Sequence, residues 1–103
     1  MHIVIFITAA GKKEATKIAK ALLASKLAAC VNIVDKVESF FWWQGKIGRA
    51  KECLLIAKTV KANLPKVCRL VKSLHSYDVP EIIGVPIAGG SKTYLDWIDD
   101  SIR

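Results

Sequence analysis

Few residues in this chain could do chemistry, and their spacing narrows the choice. Of two histidines, His2 is terminal and His75 stands in the run His75-Ser76-Tyr77-Asp78. An imidazole followed three residues later by a carboxylate is the outline of a divalent-metal site. His75 suits Cu(II) or Zn(II), and Asp78 adds an oxygen. One histidine and one carboxylate bind weakly unless several subunits contribute ligands. The competing reading puts His75 at a helix end, where an imidazolium complements the C-terminal dipole. Cys30, Cys53 and Cys68 are odd in number and widely spaced, so they form neither a disulfide framework nor a zinc motif. Cys30 reads as a small buried hydrophobe, or as a ligand for Cu(I); Cys53 and Cys68 read as packing. No Ser/His/Asp set or catalytic carboxylate pair is present, so the chain does not read as an enzyme and no cofactor is required. Gly89-Gly90-Ser91 before a helix outlines an anion-binding turn without phosphate-loop spacing.

A small scaffold must position these groups. A chain of 103 residues suits one domain, residues 1–103, with one core. Unpaired cysteines point to a reducing compartment, and no run has the length of a signal or membrane span, so a cytoplasmic protein without a membrane partner is expected. Net charge is +7, which favours anionic partners, but the lysines are dispersed along the chain and read as a solvated surface.

Ile3-Val4-Ile5-Phe6-Ile7-Thr8 reads as a strand. Ala15, Ile18, Ala19, Leu22 and Leu23 recur at helical spacing within residues 12–27. Residues 28–43 and 47–60 read as two strands joined at Gln44-Gly45-Lys46, a long antiparallel hairpin with a bulge or a bend at Asp35-Lys36. Asn63, just before Pro65, predicts a helix N-cap, with Val67, Leu70, Val71 and Leu74 on the apolar face. A fourth strand over 81–87 and a last helix capped by Ser91 complete the order. The class is α+β: a ferredoxin-like βαββαβ sandwich with an extra C-terminal helix and a long hairpin between the second and third strands.

Two helices cover one face of such a sheet, yet the strands are apolar at consecutive positions, so the second face must meet something apolar. The simplest candidate is another copy of the chain. The hairpin repeats the problem, because Phe40-Phe41-Trp42-Trp43 places rings on both sides of its tip. An arm docking on a neighbour explains them. A base-stacking platform would have its rings mid-sheet, and Ile47-Gly48-Arg49-Ala50-Lys51-Glu52-Cys53 has none, which argues against a nucleic-acid partner.

Along its whole length the sequence resembles the CutA divalent-cation tolerance family. The resemblance rests on Leu27-Ala28-Ala29-Cys30-Val31-Asn32-Ile33, Trp42-Trp43-Gln44-Gly45-Lys46-Ile47, Lys58-Thr59, the stretch from Leu74-His75-Ser76-Tyr77 to Pro80-Glu81-Ile82-Ile83, and Tyr94-Leu95-Asp96-Trp97-Ile98. It implies a stable homotrimer linked to copper and other divalent-metal tolerance, in which Phe40, Phe41, Trp42 and Trp43 make subunit contacts. It also implies an inter-subunit cleft containing Lys58, Tyr77, Trp43 and Trp97, with Lys58 as anchor for an anion. Ser76 replaces the usual proline of the His75 loop, and Ile7 and Leu74 stand where some members have a cysteine and a second histidine. The metal binding implied is therefore weak, through His75 and Asp78. The alternative is a trimeric signalling module of the PII-like kind that takes a small anion between subunits.

Overall fold

The computed structural model describes residues 1–103. Its order is β1 (His2–Ala9), α1 (Lys12–Ala24), β2 (Cys30–Trp43), β3 (Lys46–Val60), a 3-10 turn (Lys61–Asn63), α2 (Leu64–Leu74), β4 (Ile82–Pro86) and α3 (Lys92–Ser101). The four strands form one antiparallel sheet in the order β2-β3-β1-β4, the ferredoxin-like arrangement with α3 as the extra element.

Strand alternation divides the sheet into two unlike faces. On one, Ile3, Ile5, Ile7 and Ala9 of β1 and Cys53, Leu55 and Ala57 of β3 are buried. Ala15, Ile18, Ala19 and Leu22 of α1 and Val67 and Val71 of α2 close over them in a single core. The opposite face carries Val4, Phe6 and Thr8 of β1, Leu54, Ile56 and Lys58 of β3, Val34 of β2, and Ile83 and Val85 of β4, as the register requires. Only α3 crosses this second face. His2 Nε2 lies 3.0 Å from Asp99 Oδ1, and Ile98 is fully buried. Beyond α3 the face is bare: Val34, Ile83 and Val85 are 45%, 51% and 41% exposed.

The hairpin outruns the sheet. β1 pairs with β3 only over Cys53–Val60, so the rest of β3, from Lys46 to Glu52, pairs with β2 alone. This two-stranded arm stretches the molecule to 45 × 26 × 23 Å. Gln44 and Gly45 have φ of 50° and 77°, the left-handed pair of a tight two-residue turn whose twist matches the strands. The expected bulge is present. Three steps of β2, Val34 to Val37, oppose two of β3, Leu54 to Glu52. Asp35 holds it by accepting the Lys36 N–H at 2.8 Å and the Cys53 thiol at 3.2 Å. Those two bonds hold the Asp35 carboxyl below its usual range, while burial, reinforced by Asp35, pushes the Cys53 thiol up. The bulge exchanges the faces of every later β2 residue, which puts Phe41 and Trp43 on the bare side and Phe40 and Trp42 on the other.

Several boundaries and caps differ from the sequence reading. α1 stops at Ala24, not residue 27, because Lys26 adopts φ 59° and Leu27 N–H returns to Leu22 O at 3.0 Å, a Schellman closure without glycine. Asn63 and Ser91 occupy N-cap positions but their side chains cap nothing. Asn63 Nδ2 instead donates to Thr59 Oγ1 at 3.1 Å, and Ser91 shares its hydroxyl with Thr93 at 3.0 Å. No helix is long and apolar enough to cross a membrane.

Candidate functional site

His75 ends α2 with a side chain sealed from solvent. Its Nε2 lies 2.6 Å from Thr8 O, and its Nδ1 accepts the Tyr77 N–H at 3.0 Å. An Nδ1 that accepts cannot carry a proton, so this pattern is that of a neutral ring donating from Nε2. The expected imidazolium cap on the α2 dipole is therefore replaced by something else. The ring leaves the helix axis and ties the end of α2 to the end of β1.

Glu14 tightens the same junction. Its carboxylate accepts N–H bonds from Ala10 at 3.0 Å and Ser76 at 2.8 Å and comes within 3.8 Å of His75 Nδ1. Burial works against its charge, but the Ala10 and Ser76 hydrogen bonds outweigh it and the pKa is lowered. Tyr77 extends the network by donating its phenol proton to Glu52 Oε2 at 2.7 Å. Burial, then Glu52, pushes Tyr77 up to about 12.

Both nitrogens of His75 are thus in use, and Asp78 is exposed on the adjoining loop. The chain holds no cluster of three or more His, Cys, Asp or Glu side chains arranged for a metal ion. A resident, tightly held cation does not fit this donor set.

Lys58 lies elsewhere. Its ammonium donates to Asn32 Oδ1 and lies 3.9 Å from Cys30 Sγ. The Cys30 sulfur also meets the Tyr94 phenol, whose pKa is raised by burial and then by Cys30. Tyr94 in turn tilts against Trp97, with ring centroids 5.5 Å apart. Cys30 is half-buried, so its reading as a buried hydrophobe is corrected: it is a polar contact for a lysine and a tyrosine. Lys58 has no carboxylate within ion-pair distance.

The residues expected to share one cleft therefore occupy three places in a single chain. Lys58 is linked to Trp97 only through Cys30 and Tyr94; Tyr77 stands with Glu52, six residues away along β3 and about 20 Å distant at ~3.3 Å per residue. Trp43 sits at the arm tip, 64% exposed. Sequence reasoning missed Glu14, Glu52 and Asn32. An acid in the first turn of a helix and an acid inside an apolar strand were the available signals for the first two.

The comparisons with known proteins fall in line with this architecture. Residues 3–101 match the model of the CutA1 divalent ion tolerance protein family. The chain belongs to that family. It is 50% identical to the divalent-cation tolerance protein CutA of Archaeoglobus fulgidus, with the whole of both chains aligned. It is 46% identical to that of Thermus thermophilus, covering 98% of each. The solved structure of the A. fulgidus protein, described as a periplasmic divalent cation tolerance protein, matches with a TM-score of 0.97 over both entire chains. A CutA1 structure from Oryza sativa matches at 0.96 and 44% identity, covering 99% of this chain and 94% of that one. As a member of the CutA1 family, this chain belongs among divalent-cation tolerance proteins.

Proposed function

We propose that the protein serves divalent-cation tolerance as a homotrimer that meets Cu(II), or another divalent cation, weakly and through the His75–Asp78 loop. The observation that carries this reading is the bare apolar sheet face, continued by an arm with Phe40, Trp42 and Trp43 more than 60% exposed. A single chain cannot keep such a surface in water without cost. Copies packed face to face, with arms laid over neighbours, remove it. Weak binding is expected from the His75 hydrogen bonds, because a cation must displace the Tyr77 N–H or the Thr8 carbonyl to reach the ring. Three free thiols favour a reducing compartment, and so the cytoplasm.

Native mass spectrometry with and without Cu(II) tests both halves. The expected result is a trimer mass with partial copper uptake, reduced in Asp78→Asn. A monomer mass removes the assembly. One tightly held copper per chain contradicts the weak, loop-borne contact.

One observation favours a second reading, the PII-like module. The half-buried Lys58 ammonium meets Asn32 and Cys30 and no acid. That is a seat for a small anion between subunits. A metabolite-anion or nucleotide screen read by melting temperature, repeated on Lys58→Ala, checks it. A shift lost in the variant supports the module, and no shift with any anion removes it.

A further inference from the structure

The positive charge of this protein is not dispersed, as the order of the sequence suggests. The fold gathers it. Residues 12–26 carry five lysines and a single acid, Glu14, and residues 61–72 carry four cations and no acid. These two segments hold +8 between them. The whole chain holds +7, so everything else nets to −1. In the structure they are one layer, α1 and α2 side by side on the covered face of the sheet.

Every cation of this layer is exposed: Lys12, Lys13, Lys17, Lys20 and Lys26, and then Lys61, Lys66, Arg69 and Lys72. Glu14 is not exposed with them, since its carboxylate is turned in to Ala10 and Ser76. None of the nine forms an ion pair within the chain. Lys12 acts on Asp35 at longer range. Off the layer three of the seven cations, Arg49, Lys92 and Arg103, each reach a carboxylate. No cation of the layer is neutralised in this way.

We propose that the α1/α2 layer is a docking surface for the phosphate backbone of duplex nucleic acid, bound without regard to sequence. Three observations select this partner. First, Lys13, Lys17 and Lys20 stand at i, i+4 and i+7, a row of cations along a helix about 20 Å long. A duplex presents one phosphate charge per ~1.7 Å of its axis, the densest anionic rod available to such a row. Second, the layer carries no aromatic side chain, so it offers contacts to phosphates and none to stacked bases. The objection raised by the position of the aromatic arm concerns base stacking and does not touch this face. Third, a helix that binds a membrane surface inserts its apolar side. Here those sides are closed in the core: Ala15, Ile18, Ala19, Leu22, Val67 and Val71 are all buried.

The test is fluorescence anisotropy with a labelled 20-base-pair duplex of arbitrary sequence, titrated at several salt concentrations. Binding should weaken roughly a hundredfold or more between 50 and 200 mM salt, with equal affinity for unrelated sequences. The triple reversal Lys17→Glu, Lys20→Glu, Arg69→Glu should abolish it, and the glutamine versions should make the salt dependence shallower by about one power per residue. A control with the same charge change, Lys46→Glu, Lys92→Glu, Arg103→Glu, should bind within a few-fold of the parent. No binding at 50 mM salt overturns the proposal. So does equal loss in the layer and control variants, which would mean bulk charge alone. Cosedimentation with phosphatidylserine vesicles without duplex binding also overturns it and assigns the layer to a membrane.

Discussion

One face of the sheet buries Ile5, Ile7 and Leu55 completely, under two helices whose outer side is lysine-rich. The other face, built from the same β1 and β3, leaves Val85 and Ile83 about half in solvent and is crossed by α3 at one end only. The strands alone give little reason for the difference, since the bare face also carries large apolar residues, Val4, Phe6, Leu54 and Ile56, beside His2, Thr8 and Lys58. The cause is the pair of helices that succeed β1 and β3 in the chain: α1 and α2 both return to one side. The covered face is therefore finished within the chain and turns charge outward. The bare face is left unfinished within the chain. On the two proposals made above, one surface of a single chain meets water and polyanions and the other meets copies of itself.

The largest effect expected from breaking this contrast is on the bare side. Ile83→Glu places a carboxylate where the proposed trimer is dry, and an uncompensated buried charge costs about 3–5 kcal/mol. The trimer should fall to monomer by native mass spectrometry. Its far-UV circular dichroism should be unchanged, because Ile83 is not part of the core under α1 and α2. If Ile83→Glu remains a trimer, the bare face is not the interface.

The matching change on the covered side is Leu55→Ala. Leu55 is fully buried between the helices and β1. Truncating a buried leucine removes about 2–5 kcal/mol. Denaturant unfolding should show that loss in the chain itself. A loss of well under 1 kcal/mol would mean that the helix-covered core is not what holds the subunit.

Tyr77→Phe sits between the two faces. Glu52 is 8% exposed and points to the bare side, and the Tyr77 phenol is its hydrogen-bond donor. Removing that donor costs about 1–3 kcal/mol, the desolvation of an acceptor left without a partner. The pH dependence has a definite sign. The folded Tyr77 pKa is raised to about 12, above the ordinary tyrosine value. The stabilisation is therefore complete below pH ~10 and is lost as pH rises from ~10 toward ~12. Urea midpoints measured across that window should fall more steeply for the parent than for Tyr77→Phe. Parallel curves would mean that the phenol contributes nothing.

Much of this contrast was legible in the sequence, and the parts that were not share a cause. The hairpin, its Asp35-Lys36 bulge and the apolar second face are local patterns, each visible within a few residues of chain. The roles of His75 and Cys30 are not local. His75 bonds to Thr8, 67 residues away, and Cys30 meets Lys58 and Tyr94 across the sheet. Nothing near His75 in sequence distinguishes a free imidazole from one with both nitrogens engaged. The charge layer was hidden for the same reason: its lysines look scattered because α1 and α2 lie some forty residues apart in the chain.

The smallest expected effect lies in the arm, and it separates crowding there from crowding in the core. Phe41 faces Gly48 across the ribbon, and its ring covers the glycine. A Cβ on Gly48 would stand 2.8 Å from Phe41 Cε2 and 3.3 Å from Cδ2. In the covered core, overpacking of that kind costs about 1–3 kcal/mol, because neighbours cannot move. The Phe41 ring is 42% exposed and free to swing on the solvent side. Gly48→Ala should therefore change the stability of the chain by less than about 1 kcal/mol, the extra backbone stiffness partly offsetting the displaced ring. Thermal unfolding gives the first number and native mass spectrometry the second. If the ring packs on a neighbour in the trimer, swinging it aside should weaken assembly while the subunit melts almost as before. A loss of several kcal/mol from the subunit itself would mean that the arm is as rigidly packed as the core, and the contrast between finished and unfinished surfaces would fail there.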